Sequence, residues 1–208
     1  MKRNLVFASM AFLLGCKNQV STSDTELQTK FEASFGSDSV LVVRDIRTRI
    51  AAEAPRSDIG LYCKAWLLAQ GGNRPKALKT ADSLVMGFPS FEKGLYLRAN
   101  LRAEQNDPDG ALADFDKVLK KNPGFFEALV NRGSLHFKLG HTDMALKDFE
   151  KADALKPHQK NVKLNLGNAY ISLGDKLKAC SNWAKADSLG EPSAKELIRK
   201  FCFAKPES

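Results

Sequence analysis

The chain is poor in the residues that do chemistry. It carries three histidines and four cysteines in 208 residues. His136 and His141 flank a helix end and His158 falls in a loop, a spacing that suits no metal ion. No His-Glu-x-x-His or paired-carboxylate motif accompanies them. His136 shares a column with Tyr170 and reads as a packing residue. There is no Gly-rich phosphate loop, no Gly-x-Ser-x-Gly elbow and no Cys-x-x-Cys pair. Nucleotide binding, serine hydrolysis and thiol redox catalysis therefore lack their sequence signatures. No enzymatic activity, cofactor or metal is expected. Long apolar runs are absent too: the stretch from Leu5 to Leu14 is too short to span a bilayer as a helix.

That short stretch has another use. Lys2 and Arg3 precede it, and it runs into Leu13-Leu14-Gly15-Cys16. Residues 1–15 thus have the charged and apolar regions of a secretory signal. The end of the run resembles the lipobox of bacterial lipoproteins, which implies cleavage before Cys16 and a lipid on its thiol. The expected mature chain starts at Cys16 with a polar tether over 16–23. Its anchoring is firm only if two or more acyl chains are attached. Lys17 follows the lipidated position where a retention aspartate would stand, which by resemblance points to the outer membrane. The net charge of +8 falls to +6 without Lys2 and Arg3. Lysine clusters such as Lys117, Lys120 and Lys121, or Lys156, Lys160 and Lys163, sit near helix C-termini, where they complement the helix dipole. They also suit an acidic envelope partner. Nucleic acid is not expected for an exported chain.

From Pro55 onward the sequence keeps a beat of 34 residues. Pro55, Pro89, Pro123 and Pro157 share it, as do Ala77, Ala111, Ala145 and Ala179, and Ala65, Ala99, Gly133 and Gly167. Such a period marks stacked helix pairs. Four units are expected at 58–91, 92–125, 126–159 and 160–193. Each turns at Gly72, Asn106, Gly140 or Gly174, residues that tolerate left-handed backbone. The small residue on the first helix faces the alanine on the second, so the two backbones can approach closely. Phe115, Phe149 and Trp183 follow that alanine by one helical turn and fill the space beyond. Pro89, Pro123 and Pro157 close the first three units.

These columns resemble the tetratricopeptide repeat. The likeness is sharpest in the third unit (Gly133, Ala145, Phe149, Ala152, Pro157) and the fourth (Gly167, Tyr170, Ala179, Trp183, Ala186). Ala81 and Arg102 depart from it, standing where aromatics are usual. The resemblance implies an all-α, right-handed superhelix with a C-terminal capping helix and tail over 194–208, the helix running to about Phe203. Ser193 to Glu196 has capping-box spacing, with Ala194, Leu197, Ile198 and Phe201 on one stripe. The lead-in over 24–57 holds two helices, the first opened by a capping box at Ser23 to Glu26. The second carries Val40, Val43, Ile46 and Ile50 on one face. Phe31 and Val43 stand where the repeats place small residues, so the lead-in is not counted as a repeat; a degenerate repeat is the alternative.

The resemblance also implies a concave groove lined by the first helices. Its expected residues are Tyr62, Trp66, Lys93, Tyr96, Asn100, Val130, Ser134, Phe137, Lys138, Leu164, Asn168 and Ile171. Rings for apolar side chains and amides for a backbone suit an extended peptide. Asn100 and Asn131 match two places of the carboxylate clamp of chaperone cofactors. Tyr96, Asn161 and Asn165 replace its cations, so that mode is not expected. Cys180 and Cys202 lie on helices that should pack together, and an oxidising compartment favours a disulfide between them. Cys63 is left as a buried apolar residue. The sequence reads as a lipid-anchored scaffold or adapter of the cell envelope, binding a protein or peptide segment. An accessory subunit of an outer-membrane glycan-handling or envelope-assembly complex is the alternative, and a catalytic Cys63 thiol ranks below it.

Overall fold

The computed structural model describes residues 22–35 and 40–203, which form eleven α-helices and no strand. The expected signal segment, Cys16 and the expected tether as far as residue 21 lie outside the described residues. So do residues 36–39 and 204–208 and the side chains at 22–24 and 40–42, which include the Ser23 cap and Val40. No described helix is long and apolar enough to cross a membrane.

Helices α1 (Thr22–Ala33) and α2 (Val40–Glu53) form the lead-in. Four antiparallel pairs follow: α3 (Asp58–Gln70) with α4 (Arg74–Gly87), α5 (Glu92–Glu104) with α6 (Pro108–Lys121), α7 (Phe126–Lys138) with α8 (Thr142–Leu155), and α9 (Lys160–Ser172) with α10 (Lys176–Ser188). The last helix, α11 (Pro192–Leu197), runs on into a π-helical turn over Ile198–Cys202.

Local chemistry sets these bounds. The turns place Gly72, Asn106, Gly140 and Gly174 at φ of +79, +66, +79 and +81°, where glycine and asparagine meet little strain. Asn73, Asp107 and Asp175 then cap the second helices, accepting from the backbone N–H of Lys76, Gly110 and Lys178. Helices α4, α6 and α8 stop two residues before Pro89, Pro123 and Pro157, because proline disfavours helical backbone in the residue before it.

The small-residue columns are fully buried between paired helices. Their smallness makes room for a ring. A Cβ on Gly133 would lie 2.8 Å from Phe149 Cε1, and one on Gly167 would lie 2.4 Å from Trp183 Cδ1. The aromatic therefore lies directly over the glycine. Trp183 also donates its Nε1–H to Asn168 Oδ1 at 3.0 Å.

A second column, with the same 34-residue period, is ionic. Arg98 is 8 % exposed and grips the fully buried Asp114 through Nε and Nη2 at 2.8 and 2.7 Å. It also reaches Asp82 at 3.2 Å. One repeat on, Arg132 grips Asp148 at 2.8 and 2.6 Å and Asp116 at 2.6 Å. Arg102, in a column usually aromatic, adds a bond to Asp114 at 2.8 Å and one to the Gly110 carbonyl. Paired forks of this kind fix geometry as well as contributing charge-assisted hydrogen bonds.

The C-terminal cap is closed covalently. Cys180 and Cys202 are disulfide-bonded with their Cα atoms 5.9 Å apart. Ala194 is buried, and Leu197, Ile198 and Phe201 pack beside Trp183. The expected capping box at Ser193 is not formed. Glu191 holds the cap position, Pro192 opens the helix, and the Ser193 hydroxyl donates to Glu191 Oε1. Proline at the first helical position makes the earlier start, since its fixed φ suits it and its missing N–H is not needed there.

Candidate functional site

An open groove of about 760 Å³ runs along the faces of α3, α5 and α7. Of the residues expected in it, Tyr62, Trp66, Tyr96, Asn100, Ser134 and Lys138 line it. Leu97, Leu101 and Leu135 supply apolar floor, and Asn131 completes the centre.

The centre is an amide cluster spanning two repeats. Asn131 donates one N–H to Tyr96 Oη at 2.9 Å and the other to Asn100 Oδ1 at 2.8 Å. The ring of Tyr96 stacks on Phe125, centroids 5.2 Å apart. Burial raises the Tyr96 pKa above its ordinary value, so the hydroxyl keeps its proton at neutral pH. The Tyr96 O–H, the Asn100 amide N–H groups and the Asn131 carbonyl oxygen keep donor and acceptor capacity among the described residues. Two donors and an acceptor on a half-buried wall match the needs of a peptide group. Towards α3 the groove passes Trp66 and Ala69 with Gln70 and Glu104 beside them, and the Arg47 guanidinium lies 4.2 Å from the Trp66 ring centroid. Towards the far end of α7, Lys138 has no ion-pair partner among the described residues.

Six expected groove residues are placed elsewhere. Val130 is 9 % exposed and belongs to the core, and Phe137 packs against that core. Asn168 spends its carbonyl on the Trp183 indole. Lys93 is held by α1, its Nζ 3.0 Å from Glu32 Oε2 and 4.1 Å from the centroid of Phe35. Leu164 and Ile171 pack against the terminal cluster. Tyr62 lines the groove only at its edge. It is 5 % exposed, edge-on to Phe31 at 5.3 Å and to Phe91 at 6.0 Å, and burial pushes its pKa up to about 12. Ser134 donates its hydroxyl to the Val130 carbonyl at 2.8 Å.

No group of His, Cys, Asp and Glu among the described residues could hold a metal ion. Cys63 is fully buried and its thiol is pushed up to about 12 by that burial, the opposite of an activated nucleophile. His136 is 6 % exposed, with its ring centroid 5.7 Å from that of His141 and its Nδ1 unpartnered.

Residues 96–160 match the family model described as Tetratricopeptide repeat. Solved structures share the architecture at low identity. TTC0263, a thermophilic TPR protein of Thermus thermophilus, is 18 % identical, with 86 % of this chain and all of that one covered at a TM-score of 0.65. YrrB, a TPR protein with an unusual peptide-binding site, is 15 % identical over 86 % of each chain at 0.62. MamA is 15 % identical over 88 % of this chain and 97 % of its own at 0.60. No curated protein matches significantly. Residues 96–160 carry tetratricopeptide repeats, and the chain as described has the fold of tetratricopeptide-repeat proteins.

Proposed function

We propose that this protein is a lipid-anchored adapter of the bacterial cell envelope, tethered through Cys16 and holding a protein partner by an extended segment in its concave groove. The amide cluster of Tyr96, Asn100 and Asn131 carries the reading. It presents donors and an acceptor, with apolar floor on one side and Lys138 on the other. A peptide backbone satisfies those groups, whereas an apolar ligand would leave them unpaired at a cost of about 1–3 kcal/mol each. The peptide-binding site of YrrB supports a protein ligand for such a fold. The lipobox at Leu13 to Cys16 supports the anchor and, with Lys17, an outer-membrane location. Tethering raises the local concentration of the partner site without any chemistry.

The test is affinity capture from detergent-solubilised envelopes with the wild-type protein and an Asn131→Ala, Tyr96→Ala variant. A partner kept by the first and lost by the second supports the groove; the same catch from both overturns it. Metabolic labelling with a fatty-acid analogue, present in the wild type and absent in Cys16→Ser, tests the anchor.

A further inference from the structure

Two residues expected to face a partner, Tyr62 and Lys93, already have an occupant. Helix α1 lies over them. Phe31 is fully buried, its ring 5.3 Å from Tyr62 and 6.3 Å from Phe91. The next residue, Glu32, receives Lys93 Nζ at 3.0 and 3.1 Å. One helical turn on, Phe35 lies under the same ammonium at 4.1 Å yet stays 45 % exposed.

The hold of α1 is local: the buried Arg47 of α2 donates to Ser34 Oγ at 3.2 Å and lies 4.8 Å from the Phe35 ring, and Lys30 reaches Glu53 at 3.9 Å. Among the side chains described on it only Leu27 and Phe31 are buried, with Ser34 buried just past its end. Among the described residues its backbone runs beside α2 over a shorter length than the helices of the four regular pairs share. Phe31 explains this, because it occupies the column that holds Ala65, Ala99, Gly133 and Gly167 in the repeats, where helices meet backbone to backbone. A twelve-residue helix is also too short to persist without such packing.

We propose that α1 is a displaceable gate over the first third of the groove. The surface beneath it takes a partner segment with an aromatic residue followed directly by an acidic one, as Phe31 and Glu32 are now placed. This rests on the concave face being the partner surface. A ligand longer than the open groove gains the Tyr62–Phe91 seat and the Lys93 charge when α1 lifts, and a shorter one leaves α1 in place. The segment competes with α1, so its apparent affinity falls by the fraction of molecules that are open.

The probe is a fluorescent peptide of residues 22–35, added in trans to the full-length protein and read by anisotropy. Wild type should bind it weakly. A Phe31→Ala, Phe35→Ala chain should bind it roughly tenfold or more tightly, as the open fraction rises. Lys93→Glu in that background should abolish binding, and a peptide carrying Glu32→Lys should restore it. If the double variant unfolds, as read by circular dichroism, Glu32→Lys in the chain opens the gate with one surface change and the same peptide serves. Equal binding by wild type and the loosened chain, or none by a folded loosened chain, overturns the proposal. Partner capture with Asn131→Ala leaves the α1 seat untouched. A partner lost there while the peptide fails to bind would sink the gate and leave the groove standing.

Discussion

The second and third repeats and the fourth share one backbone and are cemented differently. In the former, Arg98 and Arg132 each grip aspartates from the helices on either side. In the fourth repeat the equivalent positions are Leu166, Glu150 and Asn182. The ladder stops there: Asn182 donates to the Lys178 carbonyl of its own helix, and Glu150 accepts from Tyr170. The terminal pair is held by Trp183 over Gly167, by the Asn168 bond to the indole and by the Cys180–Cys202 bond. The small residue and the ring are common to these three repeats, whereas the rest is exchangeable, the closing proline of the second and third included: Glu191 stands in its column and Gly190 makes the turn at φ +81°. Each arginine takes one aspartate from the preceding repeat and one from its own second helix, so the ladder ends in the fourth repeat because Leu166 and Asn182 replace its members.

Breaking the ionic side should give the largest effect. Asp114→Ala leaves the buried Arg98 and its neighbour Arg102 without their shared carboxylate. Losing one partner of a buried pair costs about 3–5 kcal/mol. Urea unfolding followed by circular dichroism should show that loss, with Asp116→Ala far milder because Asp116 is largely exposed.

Breaking the covalent side should come next. Cys180→Ser with Cys202→Ser opens a link across 22 residues of sequence, a loop length worth about 3 kcal/mol in the chain-entropy model. Thermal melts with and without reductant should differ for the wild type and coincide for the variant. Fraying should be confined to α10 and α11 in hydrogen exchange, and a uniform loss of protection would contradict the division of labour.

Smaller again is the test of the shared element. Gly167→Ala drives a methyl into Trp183, and Gly133→Ala drives one into Phe149 at a longer approach. Overpacking costs about 1–3 kcal/mol, with the fourth repeat hit harder. Equal melting shifts would mean that the rings retreat freely.

The smallest effect is a pH dependence confined to the third repeat. Burial lowers the His136 pKa below its ordinary 6.5, with Arg132 and His141 adding to the shift and Asp148 and Asp116 opposing it. The unfolded chain therefore binds the proton more readily. The contribution of neutral His136 is full above pH 6.5 and is lost as pH falls through the lowered value. His136→Tyr, which copies Tyr170, should flatten the dependence of melting temperature on pH between about 7.5 and 5, a window that brackets an ordinary histidine.

The backbone plan was legible because the residues that make it have no substitutes. Only proline stops α4, α6 and α8 at their places, and only small residues admit Phe149 and Trp183. The ionic ladder also carried a signal, since Asp82 and Asp116, Arg98 and Arg132, and Asp114 and Asp148 are each one period apart. Charges on helices read as solvated faces, and nothing in one residue's identity shows that Asp114 is sealed from water. The groove was legible in part. Tyr96 and Asn100 follow from the repeat position, but Val130, Phe137 and Asn168 were claimed by the core because each neighbour's size decides which way a half-buried side chain goes. The seat of α1 on Tyr62 and Lys93 depends on contacts more than sixty residues of sequence apart in the case of Glu32, beyond the reach of any local pattern.

Asn131 gives both its donors to the preceding repeat, so the amide cluster belongs to a junction and not to a module. Junctions can be recomposed. Splicing Phe125 directly to Lys160 deletes one period, keeps every column in register and brings Asn165 to the position that Asn131 now fills. The shortened chain would regain its recognition centre with a different far wall, Ser172 standing in for Lys138. Here the count of repeats sets the reach of the groove, and the seam between two of them sets what it reads.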